Sequence, residues 1–257
     1  MKLISLDEYT LSARLAPAII AGIPAFAFAA IFVSWSSLGL PHLAASLGLT
    51  ILFAAFSDIA RRRGRKIEPG IAKKMGGLPS TTMLRHRDKT IDPATKAKIH
   101  TLLAGKLNTP APTPAQEEAD PKAADTFYAR GGTWLRENTR DTKKFRVLFN
   151  ENISYGFRRN LLGLRVPGLI LNAAILIICV GALAYRYPID LSNSFNDGLL
   201  AVIVTSMLHA SYQAFLVTEE SVFGAARIYA RQLLMSTEKL DKPVTAASTR
   251  SRATKAK

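Results

Sequence analysis

The stretch LAPAIIAGIPAFAFAAIFVSWSSLGLPHLAASLGLTILFAAFS, residues 15–57, decides the fold, because its 43 residues include no Asp, Glu, Lys or Arg. An uncharged apolar run of about 18 or more residues reads as a bilayer span. This run is too long for one helix and right for two. Gly39-Leu40-Pro41 divides it with a turn signal, which predicts spans over Leu15–Ser37 and His42–Ile59. At a rise of about 1.5 Å per residue the first span reaches roughly 35 Å, enough to cross a hydrocarbon core of about 30 Å.

Two further windows, Val166–Tyr185 and Gly198–Thr218, are equally free of charge and are joined by the short segment Arg186–Asp197. No stretch shows the two-residue alternation of a strand. Cys179 is the only cysteine, which excludes an internal disulfide framework and a Cys-based zinc site. The expected class is all-α: a polytopic membrane protein with four transmembrane helices in two hairpins and a helical cytoplasmic module.

Orientation follows from the cations. Residues 61–165 carry 23 Lys/Arg against 10 Asp/Glu, and the segment after Thr218 carries eight against four. The two hairpin turns together hold a single cation, Arg186. Arg61-Arg62-Arg63-Gly64-Arg65-Lys66, directly after the second span, is a strong cytoplasmic retention signal. Both termini and the middle segment are therefore expected inside, in a cell inner membrane, with Trp35, Tyr185 and Tyr187 near the outer interface. The run ending at Ala27-Phe28-Ala29 imitates a secretory cleavage site, but Asp7 and Glu8 spoil the basic n-region such a signal needs. Ser5-Leu6-Asp7-Glu8 reads instead as a capping box opening an interfacial helix.

The expected segments are 1–60 (first hairpin), 61–142 (basic helical module), 143–235 (second hairpin with stalk extensions) and 236–257 (disordered basic tail). In the module, Asp92-Pro93 starts a helix over Ala94–Lys106. Residues 108–114 form a proline-rich linker, and a helix from Pro121 to Thr139 is interrupted at Gly131-Gly132. Phe145, Leu148, Phe149, Ile153, Phe157 and Leu161 make an amphipathic helix running into the third span, with a bend at Gly163 and Pro167. The fourth span continues to Met235, about 57 Å if unbroken.

Several residues invite a function. At 100° per residue, Ser206, His209, Gln213 and Glu220 share one stripe of the fourth span, flanked by Tyr212 and Glu219. Polar groups at membrane depth are expensive facing lipid, so this stripe faces a bundle interior or a pore. Hydrogen bonding to Asn172 or Thr50 is the structural alternative. Glu219 and Glu220 are expected to form membrane-proximal ion pairs with Arg158, Arg159 and Arg165. Ala18, Ala21, Gly22, Ala25 and Ala29 give the first span a small-residue face around a kink at Pro24. Gly76, Gly77, Ser80, Thr81, Arg85 and Arg87 form a candidate anion cradle, although without P-loop order.

His86 and His100 lie fourteen residues apart without ligand-spaced partners, so no metal site is expected. No catalytic motif and no cofactor fingerprint is present. The expected partners are anionic lipid headgroups, further copies of the chain, and an unknown cytoplasmic ligand or protein. Nucleic acid is the weaker reading of the basic surplus, since topology and lipid already explain it. The expectation is a non-enzymatic integral membrane protein whose module senses an intracellular cue and biases an oligomeric bundle, with a pore as one outcome. A membrane-tethered scaffold is the alternative, and a small transporter ranks below it.

Overall fold

The computed structural model describes residues 7–32, 40–189 and 192–241, and among these it is entirely helical, without strands. The helices are α1 (Glu8–Phe32), α2 (Leu40–Lys74), α3 (Pro79–Thr82), α4 (Pro93–Leu107), α5 (Pro114–Ala119), α6 (Pro121–Asn138), α7 (Arg146–Tyr185), α8 (Ser194–Phe215), α9 (Glu219–Met235) and α10 (Thr237–Leu240). They form two compact units, Met1–Met75 with Glu151–Ala226, and Gly76–Asn150 with Arg227–Lys257. These boundaries correct the expected module of 61–142: α2 runs past the arginine cluster, and the C-terminal helix gives residues to the module core.

In the first unit three helices are long and apolar enough to cross a membrane, α1, α7 and α8. The cap of α1 is Asp7, whose carboxylate accepts from Thr10 N at 2.7 Å; Ser5, Gly39 and Trp35 lie outside the described residues. Helix α2 does not stop near Ile59. Arg and Lys are good helix formers, and no breaker intervenes before Gly64. The fourth span is not continuous to Met235 either. It ends at Phe215, and Thr218 restarts the chain by accepting from Ser221 N, with Glu219 and Glu220 in the favourable first turn of α9.

Side-chain contacts fix the helix directions. Ala18 and Ala21 of α1 pack with Phe56 and Ala60 of α2 and Leu164 of α7. A Cβ added at Gly156 would meet Tyr9 and Ala13, and one at Gly168 would meet Ala21 and Gln213. One at Gly198 would come 2.6 Å from Ile31 Cγ2. Helices α1 and α7 therefore run alongside in the same sense, and α2 and α8 run opposite to them. The tightest crossing joins α2 to α7, where a Cβ on Gly163 would lie 2.7 Å from the backbone N of Gly64. Gly163 thus serves backbone contact.

The second unit closes around Leu84, Ile99, Leu103, Tyr128, Leu135, Leu233 and Leu234. Asp92 caps α4 by accepting from Thr95 N at 2.8 Å, as the Asp-Pro signal predicts. Asn108 ends α4 in the left-handed conformation, φ 53°, and Thr113 with Gln116 builds a capping box for α5. The glycine pair does not interrupt α6. Gly131 is where Leu103 packs, 2.7 Å from a Cβ that glycine lacks. Ser236 and Thr237 are buried and Leu240 packs against the core, within a helical turn over Thr237–Leu240, so the expected tail does not begin at 236; residues 242–257 lie outside the described part.

Gly163→Val is expected to destabilise the first unit by about 1–3 kcal/mol through overpacking at a backbone crossing. Gly181→Ala, on the same helix with nothing within 4 Å of its Cβ position, should leave stability unchanged. Unfolding in mixed micelles checks the pair.

Candidate functional site

The buried face of α8 changes character along its length. Leu199 and Val202 lie at the end near Phe32, and Ser206, His209 and Gln213 follow, each at most 5% exposed. The buried face of α7 is divided less sharply: Ile175, Cys179 and Leu183 are apolar, whereas Gly156, Asn160, Gly163, Gly168 and Asn172 are small or polar and alternate with buried Leu161 and Leu164. The apolar halves meet as one cluster, joined by Phe28 and Phe32 of α1. A polar column therefore runs along the end of the bundle that carries Gly64, beside the apolar cluster of Ala18, Ala21, Phe56, Ala60 and Leu164, and an apolar plug fills the other end.

Two prolines explain part of the column. Proline has no N–H, so Pro17 and Pro24 leave the carbonyls of Ala13 and Ile20, four residues earlier, without their helical donors. Asn160 Nδ2 donates to Ala13 O at 2.6 Å, beside a π-turn over Leu11–Leu15. The His209 imidazole lies beside the Ile20 carbonyl. Gln213 Nε2 sits 3.3 Å from His209 Nε2, and Asn172 Nδ2 donates to Ser206 O at 2.9 Å. Four oxygens remain without a hydrogen-bond partner among the described residues, Asn160 Oδ1, Asn172 Oδ1, Ser206 Oγ and Gln213 Oε1, as do the nitrogens His209 Nδ1 and Arg159 Nε. Of the partners expected for this stripe, Asn172 is present; Thr50 instead bonds Ser46 O on its own helix. Tyr212 is half-buried, and Glu220, beyond the break at 216–218, is exposed and off the stripe.

The expected ion pairs take other partners. Glu219 binds Lys74 at 2.6 Å, and Arg159 binds Glu68 at 3.0 Å. Arg158 donates to Ser221 Oγ and Arg165 to Ala214 O. The basic continuation of α2, unforeseen as helix, brings Glu68 and Lys74 to these positions.

In the glycine-rich loop of the second unit part of the candidate anion-binding set is committed elsewhere. Arg85 makes a bidentate bond to Asp125 at 2.7–2.8 Å, with Nη2 also on Gly76 O, and that carboxylate bond raises its pKa. Ser80 and Thr81 are buried, and only Arg87 of the four polar side chains is exposed. Gly76 and Gly77 have φ of 73° and 133°, a turn that only glycine adopts readily.

Behind this loop the fold gathers groups that sequence spacing did not reveal. The rings of His86 and His100 are 5.0 Å apart, and His100 stacks on Tyr128 at 5.3 Å. Glu117 accepts from His86 N and from Tyr128 Oη, each at 2.8 Å. Burial would raise the Glu117 carboxyl, but these donors outweigh it and hold its pKa low. Burial lowers the pKa of His100 and of Lys96. No group of three His, Cys, Asp or Glu that could hold a metal occurs among the described residues.

No family model, curated protein or solved structure matches the chain.

A histidine whose folded pKa is depressed takes up its proton more readily when unfolded, so the module should lose stability as pH falls below about 6.5. Glu117, held low, adds to the loss at still lower pH. Hydrogen exchange in α4 between pH 7.5 and 5 should show the drop, and His100→Gln should flatten its upper part.

Proposed function

We propose that the chain is a non-enzymatic integral membrane protein of four spans, α1, α2, α7 and α8 in two hairpins, with the helical module and both termini cytoplasmic. The polar column is then the inner half of a conduction path for a small cation, and the apolar plug is its closed outer gate. The observation that carries this reading is the set of four unpartnered buried oxygens, an acceptor-rich lining at a depth where unsatisfied polar groups are costly. Hydrophobic constrictions close channels by excluding water, and Leu199, Val202, Ile175 and Cys179 supply one here.

Further support comes from α2. Residues 43–60 carry only one charge, Asp58, and the alternating helix directions suit two hairpins. The cation-poor turns favour an inner-membrane orientation with the module inside. Ile170, Ile177, Val204, Met207 and Leu208 are exposed, as lipid-facing or self-associating surfaces are, and an oligomer is part of the reading. The module would sense an intracellular cue and bias the gate.

A second reading has its own observation. Asn160 serves a carbonyl that Pro17 frees, and His209 lies beside the one that Pro24 frees, so the same side chains suit an inert anchor bundle carrying a docking module.

Flux into sealed proteoliposomes separates them. Leu199→Ser and Val202→Ser should raise cation leak roughly tenfold by wetting the plug, and Gln213→Leu should lower it again. Silent wild type and silent plug variants would favour the anchor. Topology is read separately: in a Cys179→Ser background, an impermeant maleimide should label Asn193→Cys in intact cells, and Thr109→Cys only after permeabilisation.

A further inference from the structure

The second unit contains a cleft of about 570 Å³ lined by His86, Asp88, Lys89, Ile91, Pro93, Lys96, Ala97, His100 and the segment Pro112–Pro114. That volume lies in the range of small-molecule sites, which are mostly apolar with a few placed polar groups. Its walls fit the description: Ile91, Pro93, Ala97, Pro112 and Pro114 are apolar, and the polar groups sit among them.

Those polar groups have capacity left over. Lys96 is only 4% exposed. Its ammonium donates to Arg85 O at 2.7 Å and to Asp88 O, and it forms no ion pair with a carboxylate among the described residues. An ammonium has three donors, so one N–H is uncommitted; the carboxylates of Asp88 and Glu117 act on the buried charge only through space. Each imidazole commits Nε2 to a main-chain carbonyl, His86 to Pro112 O at 2.8 Å and His100 to Leu84 O at 2.9 Å. A carbonyl only accepts, so both Nε2 atoms carry hydrogen. Nδ1 of each ring makes no hydrogen bond among the described residues. Lys89, exposed, adds a second cation to the lining, where Asp88 is the anion, with Glu117 behind it bonded to His86 N.

We infer that this cleft binds a small organic anion, a carboxylate or phosphate on a ring-sized apolar body. The anionic head completes the coordination of Lys96 and faces Lys89. The body lies against the prolines and Ile91. A buried cation that bonds no carboxylate directly favours such an occupant, because bringing an anion to its free N–H offsets the desolvation already incurred. The inference gives the sensing module of the preceding reading its ligand class and rests on that reading only for what binding is used for. Its test reads binding alone, so a silent bundle and an empty cleft are separate failures.

The full chain in detergent is titrated calorimetrically with benzoate and phenyl phosphate, with benzamide as the uncharged body and inorganic phosphate as the bare head. One of the two aromatic anions should bind at least about tenfold more tightly than benzamide and inorganic phosphate. Preference between benzoate and phenyl phosphate assigns the head group. Ala97→Trp, which fills the cleft from an exposed position, should weaken binding by about tenfold or more. Ala94→Trp, one turn earlier on the same helix and not lining the cleft, should bind as wild type does and controls for folding. Lys89→Glu should also weaken binding. The inference is overturned if neither anion binds at about 10 mM, if benzamide binds equally well, or if Ala97→Trp binds as tightly as wild type.

Discussion

A carbonyl without its donor inside an apolar helix bundle must be served by something, and this requirement organises the membrane-type unit. Pro17 and Pro24 each withdraw an N–H from α1. Asn160 of α7 donates to the Ala13 carbonyl, and His209 of α8 lies beside the Ile20 carbonyl with its Nδ1 unpartnered among the described residues. Such re-satisfaction by neighbouring helices is how proline is tolerated in spans. The Asn160 bond ties α1 to α7 at a defined height. The rest of the polar column, Asn172 on the Ser206 carbonyl and Gln213 beside His209, extends the same register.

Close backbone approach makes those short bonds attainable. Gly156, Gly163 and Gly168 occupy the buried face of α7 where α1 and α2 come nearest. Without a hydrophobic drive between helices in lipid, packing and interhelical bonds carry association. The apolar half of the bundle needs no such precision. It is filled by Ile175, Leu183, Leu199, Val202 and the tilted Phe28–Phe32 pair, whose rings are 4.9 Å apart.

Much of this was legible in the residues, and the limits have physical causes. Charge-free windows identify apolar helices because composition alone sets their solubility in lipid, and a 100° periodicity places Ser206, His209 and Gln213 on one face. The caps at Asp92 and Asp120 are local and readable. The break before α9 was also local: Thr218-Glu219-Glu220 is an N-cap followed by acidic first-turn residues, but the apolar periodicity on either side masked it. Proline positions name the carbonyls that lack donors, Ala13 and Ile20, yet nothing local names the side chains that reach them. Ion-pair partners depend on where α2 ends, so extending that helix to Lys74 reassigned Glu219 and Arg159. The meeting of His86 with His100 depends on how a loop folds back over α4, which fourteen residues of spacing do not encode.

The helical continuation of α2 through its basic cluster has a mechanical consequence. Had Arg61–Lys66 been a loop, the charges could have followed the shaft through small displacements. On a continuous helix, Arg61, Arg62, Arg63, Arg65 and Lys66 are all exposed and fan over about 200° of the circumference. Gly64 occupies the remaining sector, pressed on Gly163. The guanidinium and ammonium groups form a collar around the rod, notched only where the neighbouring backbone fits. In a bilayer such a collar resists pistoning into hydrocarbon, leaving swivel or tilt about the notch as the low-cost motions of this helix.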